Sequence, residues 1–282
     1  MRRMEGAATA NWCCPGAVCF VLGGKHTYIV GSMSQNPIAP SQPDAALLAA
    51  VTAHIAATDQ RVSRFEHDGQ IIWIKRQEKL SLRMRLQKGN AQTAFKAERT
   101  ALHTLQTAGI PVPDILAEGP DFIATADSGP SLQYLLMAQS GTPSERAKAF
   151  KAAGEQLATM HAAHLSHGRP SIKDICWKND HITFLDFERF HAKRNTPKGH
   201  MQDLIMLVFS AYAVAGRDCP EITGAIEGYR ANDPDHIWER AARWCHKMRW
   251  VDFVTKPIQW RRAGKAREFK AIPLTLNAFS NL

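Results

Sequence analysis

Two polar clusters flank one short apolar segment: His167-Gly168-Arg169-Pro170-Ser171-Ile172-Lys173-Asp174 before it and Asp186-Phe187-Glu188 after it. Ile175 and Trp177 on one side, Ile182 and Phe184 on the other, alternate around Lys178-Asn179-Asp180-His181, the pattern of a β-hairpin. The hairpin holds the clusters at its two chain ends, with Asp186 emerging from an apolar strand. Arg169 carries a guanidinium, a group that cannot serve as a proton acceptor. It is suited instead to bidentate contact with a phosphate. Upstream, Glu98, Leu102 and Leu105 fall at i, i+4 and i+7, which sets a carboxylate on the apolar face of a helix. Such a carboxylate is costly unless a cation meets it. Lys75, ending the apolar run Ile71-Ile72-Trp73-Ile74, is the obvious partner; the alternative is that both side chains snorkel to solvent.

The elements that must position these residues follow from local pattern. Ala45–Thr58 has Leu47, Leu48, Val51 and Ile55 at helical spacing. Arg61–Phe65 and Gln70–Lys75 read as strands joined by a tight turn at Asp68-Gly69. A helix over Ala91–Ala108 ends at Gly109, a good C-terminal cap. Short strands follow at Ile115–Leu116 and Asp121–Thr125, and Asp127-Ser128-Gly129-Pro130 marks a connection between two halves. Thr142-Pro143-Ser144-Glu145 combines a threonine cap, a proline at the first helical position and a glutamate that can reach back. Gln202–Ala215 is apolar nearly all round, hence a buried helix with Asp203 at its start. Ile237–Val254 reads as one further helix with Ile237, Ala241, Trp244, Met248 and Val251 on its core stripe.

The composition narrows the classes. With 282 residues and 45% hydrophobic content the chain can bury one large core or two modest ones. A formal charge of +9 favours acidic partners such as nucleotides or phosphorylated lipids and sugars. Six cysteines form no CxxC pair, which argues against a zinc ribbon or a thioredoxin-like site and for a reduced, cytosolic chain. No apolar run reaches the roughly 18–20 residues of a membrane span. Residues 1–45 read as a disordered extension and linker, with 1–32 unlike the rest and Pro37, Pro40 and Pro43 in an extended stretch.

Lys75, Glu98, the His167 loop, Asp186 and Asp203 stand in the order used by eukaryotic-like kinases. The span 61–215 resembles the bacterial lipopolysaccharide kinase group that acts on Kdo or heptose, and is similar to the small atypical kinases of the tRNA-modifying KEOPS complex. The resemblance implies a two-lobed, protein-kinase-like α+β fold, with a small β-rich N-lobe over 46–127 and a helical C-lobe over 128–282. It implies that Lys75 meets the nucleotide phosphates, that Glu98 holds Lys75, that Met160-His161 precedes the catalytic loop and that Asp203 braces that loop. By the same resemblance Asp186, in Asp-Phe-Glu rather than Asp-Phe-Gly, holds magnesium. Arg169 replaces the catalytic-loop aspartate, and Asp174 replaces the asparagine for a second metal; a carboxylate is a hard oxygen donor suited to Mg2+. A glycine-rich phosphate loop is missing, since the first hairpin contains only Gly69.

The expected activity is ATP-dependent phosphotransfer to a non-protein acceptor, a lipopolysaccharide core sugar at the inner face of the membrane. Arg169, Asp174 and Asp186 are the expected catalytic residues, Asp174 and Asp186 the metal ligands, and Lys75 and Glu98 the nucleotide-binding pair, with ATP and Mg2+ as cofactors. The alternative is a pseudokinase, a nucleotide- or partner-binding module in which Arg169 fills the metal position and pairs with Asp174 or Asp186. His161, His164 and His167 are spaced by three, but the last belongs to a loop and reads as a structural histidine bonded to nearby backbone. No GxSxG elbow supports a hydrolase, and no motif supports specific nucleic-acid binding. Lys and Arg interleave with Trp238, Trp244, Trp250 and Trp260 towards the C-terminus, which suits peripheral membrane association or an anionic substrate as well as ordinary helix amphipathicity.

Overall fold

The computed structural model describes residues 45–77, 91–261 and 266–280. The expected extension over 1–45 lies, except for Ala45, outside the described residues. A helix α1 (Ala45–Ala57) leads into a hairpin of β1 (Val62–His67) and β2 (Gln70–Arg76), whose turn has positive φ at both Asp68 and Gly69. Asp tolerates that region and Gly occupies it freely, so the dipeptide sets the turn and the turn sets the register, Val62 opposite Lys75. Helix α2 (Ala91–Thr107) precedes β3 (Ile115–Glu118) and β4 (Phe122–Ala126), and the four strands form an antiparallel sheet in the order β1-β2-β4-β3.

Strand parity explains the placing of Lys75. Ile72 and Ile74 point to one face, where they are buried with Val51 of α1, Phe122 and Ala124. Trp73 and Lys75 therefore point to the other face, together with Ile123, which packs with Phe95, Leu102 and Leu105. The lysine is on the strand's second face rather than misplaced on the first.

Beyond Pro130 the chain is mainly helical. Helix α3 (Leu132–Ala138) is followed by α4 (Pro143–Ala162), which opens with the full capping box: Glu145 N–H donates to Thr142 Oγ1 and Thr142 N–H to Glu145 Oε2. Strands β5 (Ile175–Lys178) and β6 (His181–Phe184) pair around Asn179 and Asp180, both at positive φ. Helix α5 (Pro197–Ala215) starts five residues before the expected position, because Thr196 caps it and Pro197 occupies its first turn. Asp203 consequently lies in its second turn and is buried.

The remaining helices are α6 (Pro220–Ala231), α7 (Ile237–Lys247), α8 (Trp250–Gln259) and α9 (Arg267–Ala278). The single helix expected over Ile237–Val254 is thus two, divided at Met248-Arg249. Its buried stripe is also rotated: Trp238 is enclosed against Phe279 and under the Arg230 guanidinium, whereas Trp244, expected in the core, is 39% exposed. No helix among the described residues is long and apolar enough to cross a membrane.

Candidate active site

A cavity of about 440 Å³ opens between the sheet face that carries Lys75 and the β5–β6 hairpin. That volume suits a small organic ligand. Its apolar wall includes Leu102, Ile123, Cys176 and Leu185, and the Asp127-Ser128-Gly129 segment lines its rim. Asp127 is pinned there by Trp73 Nε1–H at 3.0 Å and by the Lys178 ammonium at 3.0 Å. Lys75, Glu98, Asp174 and Asp186 all line this one cavity.

Lys75 Nζ donates to Glu98 Oε1, so the two side chains meet instead of snorkelling apart. Glu98 is buried; burial pushes its carboxyl above the ordinary value while the Lys75 ammonium opposes the rise. The pair joins β2 to α2 through side chains that would each be costly there alone.

The opposite wall comes from the loop after α4. Gly168 sits at φ +96°, and its N–H donates to both carboxylate oxygens of Asp203 at 3.1 Å. A Cβ at this glycine would collide with the Arg189 backbone, which closes the loop against the segment after Asp186. His167 is enclosed between Phe184 and Phe187, and burial holds its imidazole below its ordinary pKa. The backbone at Leu185 and at His167 itself opposes that shift through hydrogen bonding, in keeping with a structural loop histidine. His161 pairs with the Tyr229 hydroxyl at 2.7 Å and stacks on His200; no metal-holding group of three His, Cys, Asp or Glu occurs among the described residues.

Asp174 and Asp186 are joined through the backbone by Leu185 N–H, which donates to Asp174 O at 2.7 Å. Asp186 adopts φ +62°, in the left-handed region that aspartate tolerates better than most non-glycine residues. Asp174 Oδ2 and Asp186 Oδ1 are buried acceptors with no donor among the described residues. Two carboxylates with free oxygen lone pairs fit a hard divalent cation that takes its other ligands from phosphate and water. Burial raises the Asp174 carboxyl above its ordinary pKa, against the hydrogen bond and charge of Lys173.

No local pattern marks Lys173, yet its ammonium lies 3.0 Å from Asp174 Oδ1 and 3.9 Å from Asp186 Oδ2. Arg169 is half-buried and close enough to Asp174 to favour its charged form, but it is not among the residues lining the cavity. The cation that bridges the carboxylates is Lys173, not Arg169. A second overlooked residue is Glu188, whose Oε1 accepts from Arg61 Nη2 at 2.9 Å; that hydrogen bond keeps the Glu188 carboxyl below its ordinary pKa. The bridge spans from the α1–β1 connection to the Asp186 segment, and its sequence separation left no local signal.

The loop, the hairpin and helix α5 all fall in one matched segment. Residues 127–226 match the lipopolysaccharide kinase (Kdo/WaaP) family. Arg169, Asp174, Asp186 and Asp203 lie within the Kdo/WaaP match, whereas Lys75 and Glu98 precede it and join the site by geometry. A Haemophilus influenzae protein described as uncharacterized is 26% identical over 209 residues, 74% of this chain and 85% of the relative. The match of this segment to the Kdo/WaaP kinases implies a kinase-like phosphotransferase.

Proposed function

We propose that the chain is an ATP-dependent phosphotransferase with a two-lobed, kinase-like arrangement, residues 46–127 forming the N-lobe and 128–282 the C-lobe. Its acceptor is non-protein, a lipopolysaccharide core sugar or related acidic sugar, met at the cytoplasmic face of the inner membrane. The observation that carries this reading is the convergence of the Lys75–Glu98 pair with Asp174 and Asp186 on one cavity.

The adenine fits the apolar wall, where Leu102, Ile123 and Leu185 exclude water. Lys75 Nζ, oriented by Glu98, binds the nucleotide phosphates. Asp174 Oδ2 and Asp186 Oδ1 would hold Mg2+, which when bound neutralises phosphate charge. Asp203 keeps Gly168, and with it the loop bearing Arg169, in place. Arg169 cannot take the proton of the acceptor hydroxyl, so it serves by binding phosphate oxygens. Phosphoryl transfer rests on positioning and charge stabilisation, and tolerates loss of a formal base.

The second reading is a pseudokinase, and Lys173 favours it: an ammonium between the carboxylates already supplies one positive charge. Magnesium-dependent ATP binding and hydrolysis by the purified protein, with and without membrane extract, separates the two. A phosphotransferase binds ATP only with Mg2+ and loses this in Asp186→Ala. A pseudokinase binds with or without the metal and turns nothing over.

A further inference from the structure

Helix α8 is amphipathic the wrong way round for a soluble surface. At about 3.6 residues per turn, Trp250, Phe253, Val254 and Pro257 share an arc of about 100°. Trp250, Phe253 and Val254 are 60%, 78% and 60% exposed, and Trp260 at the helix end is 80% exposed. The polar residues face the protein instead: Asp252, Thr255 and Gln259 are half-buried, with Gln259 Nε2 donating to Asp252 Oδ1 at 3.0 Å and to Thr255 Oγ1 at 2.9 Å. No residue of α8 is buried, and none lines the principal cavities, so the aromatic face is a projecting ridge.

The charge around this ridge selects its partner. Residues 240–270 hold ten Lys and Arg against Asp252 and Glu268, a surplus of eight where the whole chain's is nine. Arg249 and Arg261 flank the ridge at its two ends and Lys256 borders it; all three are exposed. Aromatic and aliphatic side chains edged by cations match the boundary between lipid headgroups and acyl chains. Nucleic-acid sites place aromatic platforms in a charged groove, and α8 offers a ridge with an aliphatic Val254 and Pro257 at its crest.

We propose that α8 docks the protein on an anionic lipid bilayer, with Trp250, Phe253, Val254 and Trp260 entering the interface and the surrounding cations meeting the headgroups. This binding is independent of phosphoryl transfer, and holds for either reading of the cavity. It makes the α8 end of the molecule the membrane-facing end.

The test is sedimentation of the full chain with vesicles of phosphatidylcholine, alone or containing about one-third phosphatidylglycerol. Binding to the anionic vesicles is expected to be at least about tenfold tighter and to weaken with salt. Trp250→Ser, Phe253→Ser and Trp260→Ser together are expected to lower it about tenfold or more without moving the melting temperature. Arg249→Glu with Lys256→Glu is expected to remove the preference for anionic lipid. Should the triple variant misfold, quenching of the wild-type tryptophan emission by brominated lipid decides the matter, with quenching expected. Equal affinity for both vesicles, or no quenching, overturns the proposal. So does a concentration-dependent dimer that the triple variant abolishes, or tighter binding to single-stranded RNA than to anionic vesicles.

Discussion

Lys173 and Asp174, neighbours in sequence, form an ion pair at 3.0 Å, and the same ammonium reaches within 3.9 Å of Asp186 Oδ2. Each carboxylate thus spends one oxygen on lysine and keeps one buried oxygen without a donor. A divalent ion held by these carboxylates would compete with the lysine for them. Lys173→Ala is expected to tighten Mn2+ binding to the nucleotide-free protein by about tenfold, since a half-exposed charge at this distance acts through a high effective dielectric. Isothermal titration or manganese spin resonance measures it, and an unchanged affinity would exclude the competition.

The Lys75–Glu98 pair separates stability from function. Lys75→Met leaves the Glu98 carboxylate buried without its partner and is expected to destabilise the fold by about 1–3 kcal/mol. Adding Glu98→Gln removes the uncompensated charge and is expected to restore most of that stability. Nucleotide binding is expected to stay lost in both variants. Urea unfolding and ATP titration on the same preparations check the split; recovery of ATP binding in the double variant would contradict the role given to Lys75.

Arg169 decides between turnover and occupancy. Arg169→Ala is expected to lower phosphotransfer by about 10- to 1000-fold, comparable to loss of one charge-stabilising donor. Arg169→Asp supplies the opposite comparison, a gain of transfer identifying the arginine as a block. Full activity in Arg169→Ala removes the residue from the mechanism.

His200 makes stability pH-dependent. It is buried against His161, and burial, followed by the His161 charge, lowers its pKa from 6.5 to about 4. A histidine with a depressed folded-state pKa contributes stability above pH 6.5 and loses it as the pH falls towards about 4. For this residue alone the loss at pH 5 is about 2 kcal/mol relative to neutral pH. Urea midpoints at pH 7 and pH 5 test this, with the difference reduced in His200→Gln. An equal difference in that variant would place the titration elsewhere.

Much of the frame was legible because it is set within a few residues. The Asp68-Gly69 and Asn179-Asp180 turns, the Thr142/Glu145 capping box and the alternation of Ile72 and Ile74 depend on backbone preference and side-chain period alone. Glu98 and Lys75 announced themselves as charges in apolar runs, and the cost of burying either alone named the other as partner. Periodicity also shows which residues share a face, but not which face meets the core. That is why Trp238 rather than Trp244 is enclosed, why the chain breaks at Met248-Arg249, and why α8 turns its aromatic side outward. Whether Lys173 or Arg169 reaches the carboxylates was equally beyond local pattern. The path of the loop settles it, and that path is fixed by Gly168 against Asp203 and the Arg189 backbone, contacts that exist only once α5 and the hairpin have packed.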